Sequence, residues 1–180
     1  RKQMTIDGVE KAVDIYDSQG YENDSVIVIY LEDTHESVAG IIAGRIKELY
    51  HKPTFILTDG ERTLKGSGRS IEAFSMYDEM VKCADLFEHF GGHPMAAGLS
   101  IARDNLDEFR RRINANANLT QDDFVEKVKI DVPMPMYYPT LELAREFELL
   151  APYGNGNPRP LFMDKCVKIA RMWVVGKNQN

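Results

Sequence analysis

Residues 25–59 read SVIVIYLEDTHESVAGIIAGRIKELYHKPTFILTD, and their pattern decides the fold class. Val26-Ile27-Val28-Ile29-Tyr30-Leu31 is a short continuous apolar run rich in β-branched side chains, the signature of a strand buried on both faces. Val38, Ile41, Ile42, Ile46, Leu49 and Tyr50 then recur at helical spacing, which predicts an amphipathic helix over 36–50. After Pro53, Thr54-Phe55-Ile56-Leu57-Thr58 is a second buried strand. Strand, helix and strand in this length make a βαβ unit, whose right-handed crossover leaves the strands parallel. An α/β fold with a mixed sheet and flanking helices is therefore expected.

Upstream, Met4, Ile6, Val9, Ala12, Val13 and Tyr16 fall near helical spacing and Gly20 ends the pattern, so residues 1–22 read as a connector helix. Downstream, Asp59-Gly60 turns the chain into the glycine-broken strand Thr63-Leu64-Lys65-Gly66-Ser67-Gly68, which can pair back antiparallel. Ser75 can cap a helix over 76–88 on the stripe Met76, Met80, Cys83, Ala84 and Phe87. The Gly91-Gly92-His93-Pro94 stretch reads as a loop leading into the small residues 96–100. Asp104 is placed to cap a helix ending among the asparagines at 114–118. Lys127 to Val132 alternates like an edge strand, and Thr140 opens a helix to Leu150. Three prolines and two glycines in 151–160 mark a domain boundary. The expected layout is a substrate-binding domain over 23–150, then a linker and one strand near 166–175 within 151–180.

Composition is that of a soluble globular protein, with 43% hydrophobic and 28% charged residues in 180. There is no run of about 20 apolar residues and no basic-then-apolar leader pattern, so a cytoplasmic protein without membrane contact is expected. Cys83 and Cys166 lie far apart among apolar neighbours and read as small core hydrophobes rather than a disulfide or a metal pair. The opening Arg1-Lys2-Gln3 and the closing Gly176 to Asn180 fit a piece of a longer protein. A net charge of −6 is unlike a nonspecific nucleic-acid binder, so any phosphate site must be local.

Three places carry candidate chemistry. In Gly91-Gly92-His93, glycines admit close backbone approach to a ligand oxygen and the imidazole can donate to a phosphate or an anionic transition state. In Lys65-Gly66-Ser67-Gly68-Arg69-Ser70, exposed backbone, two hydroxyls and a guanidinium fork suit phosphate, although the lysine comes too early for a Walker loop. His35 follows the first strand and precedes the helix, at the carboxyl end where open α/β sheets bind ligands. Taken singly, each reads first as a turn, a hairpin end or a capping histidine. His51 and His89 read as helix-end residues. The carboxylates form no set at metal-ligand spacing, so no metal ligand is expected in this chain.

Taken together, Thr34-His35-Glu36 through Ile46, Lys65 to Ser70, Phe90-Gly91-Gly92-His93-Pro94 through Gly98, and Leu150 through Pro158 resemble successive signatures of the RecJ exonucleases. That resemblance, spanning residues 1 to about 175, implies a DHH-associated domain followed by the first strand of an OB-like domain. It implies a whole protein that degrades single-stranded DNA from the 5′ end in DNA repair and recombination. The two ions, Mn²⁺ or Mg²⁺, would sit in a separate amino-terminal DHH domain, and the partners would be single-stranded DNA and other repair proteins. Carried onto this sequence, Ser67 and Arg69, with Ser70 beside them, meet the 5′ phosphate. Gly91, Gly92 and His93 contact the nucleotide near the scissile bond, His93 as the catalytic donor, and His35 lies at the substrate. Thr34 departs from the family, which has tryptophan there. Two alternatives stay open, a DHH-type phosphodiesterase for cyclic dinucleotides or oligonucleotides and a non-catalytic nucleic-acid-binding module.

Overall fold

The computed structural model describes residues 1–174. Its chain forms two compact units, Arg1–Glu126 and Lys127–Asn180. In the first, α1 (Lys2–Ser18) leads into β1 (Ile27–Leu31), α2 (Glu36–Tyr50) and β2 (Thr54–Asp59). Next come β3 (Leu64–Arg69), α3 (Met76–Val81), β4 (Phe87–His93), β5 (Ala96–Ile101) and α4 (Leu106–Asn116). One five-stranded sheet has the order β1-β2-β3-β5-β4. β1 and β2 are parallel, as a βαβ unit requires, and the pairings from β2 outward are antiparallel.

Strand alternation divides the interior into two cores, one on each side of the sheet. Ile27, Ile29, Leu31 and Ile56 point toward α1 and α2, where they meet Ala12, Tyr16, Val38, Ile42 and Ile46. Val26, Val28, Phe55 and Leu57 point the other way, onto Met76, Met80, Cys83, Phe109 and Ile113 of α3, the segment after it and α4. This explains why β1 and β2 read as continuous apolar runs: both of their faces are covered. Burial pushes the Cys83 thiol up, so it packs as a hydrophobe rather than acting as a nucleophile.

At the outer side of the sheet, Asn114 of α4 accepts from the Val26 N–H at 2.9 Å and donates to the Val26 carbonyl at 2.9 Å. One carboxamide thus answers the residue just before β1 as a neighbouring peptide would.

Several expected elements differ. The helix expected over 76–88 stops at Val81, and a 3₁₀ turn at Ala84–Leu86 hands the chain to β4. Phe87 and Phe90 fix that outcome by packing against the α4-side core, where Phe87 meets Phe109 edge-on at 5.0 Å. Gly91-Gly92-His93 therefore belongs to a strand, and the turn is Pro94–Met95. The α4 N-cap is Asn105 rather than Asp104.

In the second unit, the expected strand over 127–132 reduces to β6 (Val132–Pro133), paired parallel with β7 (Phe162–Met163). α5 (Leu141–Glu148) forms where expected, with the Thr140 hydroxyl accepting from the Leu143 N–H. Residues 166–174 are not a strand, and residue 175 lies outside the described residues. A strand needs a neighbour to satisfy its backbone, and β6 pairs with β7 instead. Cys166 is exposed, not a core residue. The Pro/Gly segment 151–160 lies inside this unit, while the division between units falls at Glu126/Lys127. Asn157 donates to the carbonyls of Leu150 and Pro152, and the Tyr153 hydroxyl donates to the Phe147 carbonyl, so the segment is a pinned turn.

Phe109 is fully buried and meets both Phe55 and Phe87 edge-on, at 5.2 and 5.0 Å. Phe109→Ala should cost about 3–5 kcal/mol through lost transfer and a residual cavity. Chemical denaturation of the first unit checks this.

Candidate nucleic-acid interface

The α2 side of the sheet is covered over β1 and β2, while β3, β5 and β4 carry an open groove of about 420 Å³ beside the start of α2. Directly opposed residues of antiparallel strands present their side chains to one face, so the register sets the groove floor. Arg69 opposes Ala96, which opposes His93. Ser67 opposes Gly98, which opposes Gly91, and Lys65 opposes Ser100, which opposes His89. The floor is therefore three rows: polar or cationic at both ends, and bare backbone across the middle of β5 and β4. A Cβ at Gly91 would meet nothing within 4 Å and one at Gly98 only the Gly66 carbonyl at 3.8 Å, so both leave open surface.

β3 can serve this face because its other face needs no side chains at two positions. A Cβ on Gly66 would come within 2.8 Å of Leu99, and one on Gly68 within 2.4 Å of the Met76 sulfur. The two glycines let the core close while Lys65, Ser67 and Arg69 stay half-buried on the groove side. Arg69 is held from two directions. Its Nη1 donates to the Gly68 carbonyl at 2.7 Å, and its fork lies against α2 at Gly40, where a Cβ would stand 2.8 Å from Nη2.

His35 is the N-cap of α2, its Nδ1 accepting from the Ser37 N–H at 3.1 Å. That bond puts the proton of the neutral ring on Nε2, which stays on the exposed side. Gly92, near the end of β4, has φ +155°, and a Cβ there would meet the Ala96 carbonyl at 2.4 Å, so this position requires glycine for its backbone alone. Thr34, the departure from the family pattern, is buried beneath the start of α2.

The structure thus brings Ser67, Arg69, Gly91 and His93 to one face, with His35 at the adjoining helix end. It does not bring Ser70 there: this residue is buried and its hydroxyl donates to the Phe74 carbonyl at 2.5 Å. Period-two alternation after Arg69 carries that signal, because residue 70 must point away from residues 67 and 69. Ser100 and His89 also line the groove and were missed, and Lys65, quoted at the head of the glycine-rich stretch, was assigned no contact. His89 was hidden by the helix expected through residue 88. Among the described residues no group of three or more His, Cys, Asp or Glu could hold a metal ion.

The DHHA1 domain family model matches residues 23–118. The chain belongs to the DHHA1 family. Behind this DHHA1 domain, the RecJ OB domain model matches residues 130–180. The chain is 30% identical to the single-stranded-DNA-specific exonuclease RecJ of Bacillus subtilis over 99% of its length, covering 23% of that protein. It is 34% identical to the RecJ of Escherichia coli over 84% of its length, covering 27% of that protein. The crystal structure of Thermus thermophilus RecJ with Mn²⁺ matches with a TM-score of 0.79 at 30% identity, over 91% of this chain and 24% of that one. The chain thus spans about a quarter of the length of these relatives, and the resemblance to RecJ exonucleases drawn from four motifs holds across both the DHHA1 and the OB match.

In this DHHA1 domain Gly40→Ala should displace the Arg69 fork without harming the fold. Alanine is worth about 0.8–1.0 kcal/mol over glycine in a helix interior, and the atom in its way is the end of a flexible side chain. Gly44→Ala, with nothing within 4 Å, should leave Arg69 in place. Crystal structures and melting curves of both variants check this, with neither expected to lose stability.

Proposed function

We propose that this chain is the strand-gripping part of a 5′-to-3′ exonuclease for single-stranded DNA. Residues 1–22 connect to a DHH domain elsewhere in the whole protein, which holds two divalent ions, Mn²⁺ or Mg²⁺, and supplies the hydrolytic chemistry. The observation that carries this reading is the alignment of Ser67, Arg69, Gly91 and His93 on one open sheet face in a chain of net charge −6. An acidic domain can serve a polyanion when a few donors are concentrated in a groove, since phosphate contacts fix position without reading sequence.

In this reading the Arg69 fork makes a bidentate contact with the 5′ phosphate, with the Ser67 hydroxyl beside it. His93 donates to the reacting phosphate as negative charge develops. Gly91 and Gly92 allow the nucleotide to approach the backbone, and the His35 Nε2–H borders the strand. The role belongs to DNA repair and recombination in the cytoplasm, with repair proteins as further partners. No described helix is long and apolar enough to cross a membrane. A DHH-type phosphodiesterase for cyclic dinucleotides or oligonucleotides, or a non-catalytic nucleic-acid-binding module, is not favoured. RecJ OB sequence follows the DHHA1 domain, and the relatives are exonucleases by name.

The experiment is turnover of single strands by the full-length protein, with and without a 5′ phosphate. Arg69→Ala should lose about 1.5–3 kcal/mol of binding on phosphorylated strands, less on 5′-hydroxyl strands, and Arg69→Lys should recover part of it. Equal loss on both strands would remove Arg69 from the 5′ phosphate. His93→Ala should cut turnover by about 10²–10³ while the melting temperature stays near wild type. A strong fall in melting temperature would make His93 a structural residue instead.

A further inference from the structure

The groove is walled by more than the residues that the resemblance assigns to the substrate. Its lining includes Lys65, Ser67, His89 and Ser100, while Arg69 and His93 stand at one end of the same floor. We propose that Lys65 and His89, opposed across Ser100, form a second phosphate subsite for an internal phosphate of the bound strand. This rests on the groove being a single-strand site, and it assigns the direction in which the strand leaves the 5′ end.

Lys65 is already aimed. Its Nζ donates to the Ser100 hydroxyl at 2.8 Å, which orients the ammonium and leaves two N–H bonds for a ligand. His89 is exposed and faces the same side from the next strand but one, so a phosphate over Ser100 can be gripped from both flanks. Lys65 and Arg69 are four residues apart along β3, or about 13 Å at roughly 3.3 Å per residue. With the Lys65 ammonium held at Ser100 and the Arg69 fork held at Gly68 and Gly40, each cation serves its own phosphate. Between them lies the row of Ser67, Gly98 and Gly91, over whose bare part sugar and base can pass without meeting side chains. Among the described lining residues Glu36 is the one carboxylate, and it belongs to the helix wall rather than to the row. The sheet thus offers a track along β3, with cations at each end and open backbone in the middle.

The test is binding by the full-length protein without divalent ions, so that nothing is cleaved. Two probes are used, a 5′-phosphorylated thymidine strand of about a dozen nucleotides and thymidine 5′-monophosphate. Lys65→Gln removes the charge and can still bond Ser100. It should weaken the long strand about tenfold and reduce the slope of log affinity against log salt by about 0.7, the share of one phosphate contact on a single strand. Binding of the mononucleotide should not change. His89→Ala, at an exposed position, should weaken only the long strand and leaves the Lys65–Ser100 pair intact. Equal losses on both probes, or an unchanged salt slope, would overturn the subsite, while Arg69→Ala still separates phosphorylated from unphosphorylated ends. Wild-type protein that binds neither probe would overturn the reading of the whole groove.

Discussion

Antiparallel pairing of β3, β5 and β4 in one fixed register is the constraint on which the groove depends. Side chains alternate with a period of two, so a slip of one residue would carry Lys65, Ser67 and Arg69 into the core and leave Leu64 in solvent. What prevents the slip is packing on the opposite face. Leu64 is buried there, and Gly66 and Gly68 leave only the space that Leu99, Leu57, Phe55 and Met76 fill. The positions that hold the register are thus different from the positions that present the chemistry, although they alternate along a single strand.

The arrangement also lets an acidic chain carry the proposed site for a polyanion. Much of the basic charge is spent on neighbours: Arg110 pairs with Asp24, Arg112 with Asp85 and Glu108, and Arg103 with Asp59. The Arg111 and Arg112 guanidiniums hold the Glu108 carboxyl down at about 2. Arg69 differs in kind. Its fork is braced by a backbone carbonyl and by the space at Gly40, with no carboxylate ion pair among the described contacts. An unneutralised, preorientated cation contributes more to an anion site than a larger number of paired ones.

The βαβ core was legible because both strands and the helix carry strong apolar patterns, and the order of elements through β3 follows from turn residues and periodicity. The helix after Ser75 was misjudged in length because Cys83, Ala84 and Phe87 continue its apolar stripe. Tertiary packing of Phe87 and Phe90 against the α4-side core decides the matter. The same misjudgement hid His89, and it made a loop of residues that lie in a strand. Ser67 and Arg69 were legible as a phosphate-like motif, but Ser70 was grouped with them by proximity in sequence when strand alternation sends it to the opposite face. Gly40 could not be recognised from sequence at all: its importance lies in a contact with a residue 29 positions away.

Asn114 has a consequence for the molecule in a crowded solution. β1 is an outer strand of the sheet, and an outer strand offers a ladder of free peptide groups to any passing chain. At the start of that ladder the Asn114 carboxamide already occupies both the donor and the acceptor of Val26. A foreign segment pairing from this end would first have to displace the Asn114 carboxamide, exchanging two good bonds for two others with no net gain at Val26. The carboxamide thus closes one end of the open β1 edge, where pairing with another chain would otherwise begin.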